Sequence, residues 1–140
     1  MGSINLGRVL LGGFVAGVVV NIFEFLLNGM LLADQWPGVM ASINRPPLSM
    51  HDVVIFNILG FVFGIAAVWT YAAIRPRFGA GVKTAIYAGA LTWVTAYFLA
   101  TTTPVIMGVI PLRMACVLVA VGLVEIVVAT IVGAWLYKEA

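Results

Sequence analysis

The chain is short of the residues on which chemistry most often depends. It has one cysteine, Cys116, and one histidine, His51, and only 9% of its residues are charged. A lone cysteine forms no internal disulfide. Cys116 stands in an apolar run, where a small buried or lipid-facing residue is expected rather than a reactive thiol. With no CxxC, no CxxCH and no second histidine, a zinc site, a c-type haem attachment and a bis-histidine haem are all disfavoured. There is no Walker loop, no HExxH, no GxSxG and no Glu-xx-His. The sequence therefore predicts no enzyme of recognised chemistry, no cofactor and no metal. Charge of one sign is also lacking: 7 Lys+Arg stand against 5 Asp+Glu. The basic residues are dispersed between apolar runs, so no nucleic-acid footprint is present.

What the chain has in excess is apolar surface. Hydrophobic residues make up 64% of 140 positions, against about half in an average soluble domain. A chain of this size cannot hide that much apolar surface in its own core. Lipid must be the solvent for most of it. The expected setting is a cell membrane, crossed several times, with the bacterial inner membrane as the working assignment. The first apolar run is too long for the h-region of a cleaved signal peptide and lacks a small-x-small cleavage site.

Four runs are long enough to span: about 9–33, 52–74, 84–103 and 112–137. The fold class expected is all-α, a single transmembrane domain built as a four-helix bundle. Between the first two runs, Asp34 to Met50 reads as an external loop. Pro37 is placed to start a short interfacial helix there, and Pro46-Pro47 to end it. Ser49 followed by Asp52 reads as an N-cap with an acidic N3 residue, which leaves His51 as a capping or solvated residue. Arg75-Pro76-Arg77 is expected to stop the second span. Thr101-Thr102-Thr103-Pro104 is expected to end or kink the third. Pro111 begins the fourth. Arg8, Arg75, Arg77, Lys83 and Lys138 then fall on one side and Arg45 and Arg113 on the other. By the positive-inside rule both termini are cytoplasmic.

The stretch Gly13 to Gln35 organises the rest. On an ideal helix Gly13, Gly17, Asn21, Glu24, Asn28 and Gln35 share an arc of roughly 80°. A carboxylate in hydrocarbon is costly and must face protein, a watered cavity or a partner. In the second span Asn57, Gly60, Gly64, Ala67 and Tyr71 share a small, polar face. In the fourth, Gly122, Glu125, Ala129 and Gly133 do the same. Glu24 and Glu125 differ little in depth, so a compact bundle lets them meet. If they meet, both do not easily stay ionised, and one shared proton is the natural state of the pair. Asn21 and Asn28 are then placed to donate to its oxygens. Trp93, near mid-span, is a candidate for lining a cavity or facing an apolar ligand, and is otherwise a packing residue.

The candidate substrate- or ion-binding residues are therefore Asn21, Glu24, Asn28, Asn57, Trp93 and Glu125. The first functional reading is an oligomeric proton- or ion-linked transporter or channel. The alternatives are a non-catalytic subunit or assembly factor of a larger membrane complex, and a binder of lipid, quinone or pigment. The four-span size resembles small bacterial transporters with a first-helix glutamate, in architecture and not in sequence. The partners expected are the bilayer itself and either further copies of the chain or other membrane subunits, with no nucleic acid.

Overall fold

The computed structural model describes residues 3–139, and all regular structure among them is helical. Helix α1 (Leu6–Glu24) continues without a break into a π-helical turn, Phe25–Leu31. A short helix, α2 (Trp36–Ser42), follows. Then come α3 (Met50–Phe78), α4 (Val82–Trp93), a second π-helical turn (Val94–Leu99), α5 (Ala100–Ile106) and α6 (Leu112–Leu136). Three helices are long and apolar enough to cross a membrane: Leu6–Leu31, Met50–Phe78 and Leu112–Leu136.

Local chemistry sets most of the ends. Asn5 caps α1, its Oδ1 accepting from the Arg8 backbone N–H at 3.1 Å. Ser49 and Asp52 form the reciprocal capping box expected of them, with the Ser49 N–H donating to Asp52 Oδ2 at 2.8 Å. His51 is exposed beside it. Helix α2 has Pro37 in its first turn but ends at Ser42, ahead of Pro46-Pro47, because Asn44 turns the chain with φ 54°.

Two prolines lie inside helices, the first of them where the sequence suggests a stop. Pro76 lies inside α3, which runs on to Phe78 and ends at Gly79 with φ 85°. Pro104 lies inside α5. In each case only two helical residues follow the proline, so little helix is left for it to disrupt. The segment 107–110 is a tight turn. Its Val109 and Ile110 pack against the cluster of Leu27, Leu32, Val39 and Met114.

Helix α1 packs along α3 on one side and α6 on the other, and α4 closes the ring against α3 and α6. The α1–α3 contact is backbone against backbone. A Cβ on Gly64 would stand 2.8 Å from the Gly17 Cα, and closer still to the Gly17 nitrogen and the Gly13 carbonyl oxygen. Close approach of this kind is what small residues permit between helices.

Two apolar cores result. The larger contains Ala16, Val20, Ala67, Val68, Tyr71, Ala88, Ile126 and Tyr137. The smaller lies under α2 and contains Leu27, Leu32, Val39 and Met114. At the end of the bundle away from α2, the start of α1 meets the ends of α3 and α6. The Asn5 N–H donates to the Tyr137 hydroxyl at 3.4 Å, and the Arg75 guanidinium lies 5.5 Å from the Tyr137 ring centroid. Cys116 is exposed on the outer surface of α6.

Candidate functional site

Between the two cores the helices carry acids. On α1, Glu24 lies between Val20 of the larger core and Leu27 of the smaller. On α6, Glu125 lies between Ile126 and Val121 in the same way. Glu125 is 0% exposed and Glu24 is half-buried. The structure brings them together, with the two carboxyl groups within hydrogen-bonding reach of each other.

Each acid has a donor on its far side. Asn28 Nδ2 donates to Glu24 Oε2 at 2.5 Å, and the Tyr97 hydroxyl donates to Glu125 Oε1 at 2.6 Å. The Trp36 indole N–H donates in turn to Asn28 Oδ1 at 3.1 Å. A continuous chain therefore runs from Trp36 on α2 through Asn28, Glu24 and Glu125 to Tyr97.

Glu125 Oε2 is buried and receives no N–H or O–H from the rest of the described protein. An ionised carboxylate only accepts hydrogen bonds, so two of them in contact satisfy neither. A proton held between the carboxyls would supply the missing donor, while Asn28 and Tyr97 donate from either side. Cationic compensation is remote. Among the described residues the one ion pair, Arg75 with Glu139 at 3.6 Å, lies at the opposite end of the bundle. No group of three or more His, Cys, Asp and Glu able to hold a metal occurs among the described residues.

Both π-helical turns lie beside this cluster. One begins directly after Glu24 and contains Asn28, and the other contains Tyr97. The first shows the wide hydrogen bond of such a turn, from the Leu32 N–H to the Leu27 carbonyl at 2.8 Å. In the second, the Thr95 hydroxyl bonds back to the Leu91 and Thr92 carbonyls at 3.0 and 3.1 Å. Single wide turns inside α-helices occur often at functional sites. Here they aim side chains from two helices at one point.

Of the residues singled out from sequence, Glu24, Asn28 and Glu125 meet. The others do not join them. Asn21 turns to α3, where its Nδ2 donates to the Asn57 carbonyl oxygen at 3.1 Å. The Asn57 side chain is exposed and donates to the Val53 carbonyl of its own helix at 2.7 Å. The single polar stripe expected on α1 is thus divided. Asn21 and Glu24 are 60° apart on an ideal helix, and α1 is wedged between α3 and α6, so each neighbour takes one of them. Trp93 is a packing residue, its indole N–H donating to the Val119 carbonyl at 2.8 Å.

Tyr97 and Trp36 are the members of the cluster that residue type and spacing did not single out. The signal for Tyr97 was Gly122, whose missing side chain leaves room for the Tyr97 ring three residues before Glu125. No protein-family model, curated protein or solved structure matches this chain.

Proposed function

We propose that the chain is a four-span membrane bundle that carries a proton on the Glu24–Glu125 pair and works as a proton-linked transporter or channel. In this reading the third span in chain order is the continuous helical run of α4, its π turn and α5, which completes the four. With both termini cytoplasmic, Arg8, Arg75, Arg77, Lys83 and Lys138 face the cytoplasm, while α2, Arg45 and Arg113 lie outside. The pair is then reached through the outer half of the bundle, beneath α2. The protein has no catalytic role in this reading. Its chemistry is the gain and loss of one proton in a place where a proton is otherwise scarce.

The observation that supports the reading is the contact of two carboxyls inside the bundle with a neutral donor on each side. Purely structural hydrogen bonding between helices is satisfied by Ser, Thr, Asn or Gln at far lower desolvation cost. A pair of acids adds one property that those residues lack, which is exchange of a proton. The test is proton movement into vesicles under an imposed pH gradient, with the purified protein reconstituted. Glu24→Gln and Glu125→Gln each keep hydrogen-bonding capacity, and each should abolish the flux while the protein remains folded and monodisperse. Unchanged flux in both variants rejects the proposal. Infrared spectroscopy gives a second reading: the wild type should show a protonated-carboxyl band that the double variant lacks.

A further inference from the structure

Asn57 is an amide that the bundle leaves on its outer surface within a span, where the exposed Thr95 and Thr102 hydroxyls bond back to their own helix. Counted at 1.5 Å per residue, it lies about 10 Å along α3 from Met50, and it touches Asn21, about 15 Å along α1 from Leu31. Around it runs an open groove of about 390 Å³ between α1 and α3, lined by Val18, Ile22, Phe25, Leu26 and Phe61. Asn57 donates one N–H to Val53 of its own helix, and its Oδ1 accepts nothing among the described residues. Acyl chains offer no donor to that oxygen and no acceptor to the remaining N–H. A partner must supply both at this depth.

We infer that the α1–α3 groove is the contact face of a homodimer, with Asn57 of one copy paired to Asn57 of the other across a two-fold axis. The amide group fits this arrangement because it is self-complementary. Each Asn57 supplies the free N–H that the other Oδ1 needs, so two hydrogen bonds form from one residue type. A two-fold axis is the symmetry that places a residue opposite itself, and it closes the assembly at two copies. The rim is already suited to helix contact. Phe14 and Phe61 stack with ring centroids 4.8 Å apart, and Val18, Ile22 and Phe25 are exposed along α1. Asn21 holds the α3 backbone at Asn57 from within, so the amide is presented on a fixed surface. The acid pair lies on the α6 side of α1 and stays outside this contact.

The inference rests on the membrane placement proposed above and is independent of the proton chemistry. It is tested by oxidative crosslinking in native membranes, using the full chain with Cys116→Ser so that the exposed native thiol does not interfere. Asn57→Cys should give a disulfide-linked dimer of this chain. Leu91→Cys, on the exposed face of α4, should give little. Equal crosslinking at both positions, none at Asn57, or capture of a different protein there overturns the homodimer. Single-molecule photobleaching in vesicles provides a second measurement. Asn57→Leu should weaken dimerisation about tenfold, the effect of two lost interhelical hydrogen bonds, and unchanged dimerisation rejects the amide pair. Recovery of the protein outside the membrane fraction would overturn the placement and the inference together. A membrane-bound monomer would overturn the inference alone.

Discussion

The Tyr97 ring lies against the backbone of Gly122, one turn before Glu125, so the absent side chain of one residue sets the hydroxyl of the other on the acid pair. A Cβ on Gly122 would stand 2.7 Å from Tyr97 Cε1. A rigid ring cannot flex out of that contact at its edge.

Gly122→Ala should therefore displace the ring and break its bond to Glu125, at a cost of about 1–3 kcal/mol for overpacking. Tyr97→Phe keeps the ring and removes only the hydroxyl. It leaves Glu125 Oε1 buried without a donor, again at about 1–3 kcal/mol. Thermal unfolding in detergent measures both. Because the two changes remove one interaction, the double variant should lose less than the sum. Strict additivity would separate Gly122 from the site.

Gly64 supports the other seam. Its Cβ would run into the α1 backbone, which has no side-chain freedom with which to yield. Gly64→Ala should force α1 and α3 apart at the upper end of the overpacking range, about 3 kcal/mol or more. Gly38→Ala is the matched control, since nothing lies within 4 Å of a Cβ there. Melting temperatures that fall equally for both would contradict the close backbone contact.

Trp36 ties α2 to the acid chain through one hydrogen bond, and Trp36→Phe removes that bond while keeping most of the apolar ring. The expected loss is about 1 kcal/mol and local. Hydrogen–deuterium exchange should quicken over residues 36–42 and stay unchanged in α6. A uniform rise over the whole chain would mean that the bond supports global stability instead.

Three of the four apolar runs were legible as long helices from their length and composition, and the capping box at Ser49 was legible because its two residues need each other at a fixed spacing. The proline stop was misread at Pro76, which α3 passes by two residues, whereas a helix running on through Pro104 was one of the two outcomes expected there. Beyond the first turn a proline loses its N–H and meets the carbonyl four residues earlier, so it marks where a helix ends only to within a residue or two. The meeting of Glu24 with Glu125 followed from depth alone. The parting of Asn21 from Glu24 did not follow, because a helical wheel places residues on one face without saying how many neighbours divide that face. Tyr97 was hidden for a different reason. An aromatic in an apolar run looks the same whether it packs or donates, until the helix opposite it is known.

The two wide turns also fix a count of residues. A wide turn holds one residue more than an ordinary α-helical turn, so a residue deleted at 25–27 or 94–96 restores the ordinary turn and redirects Asn28 or Tyr97 within it. Asn28 or Tyr97 would then leave its acid, although only one residue is lost. In these two stretches the spacing between residues is as much a part of the chemistry as their identity, and a gap in either costs more than most substitutions would.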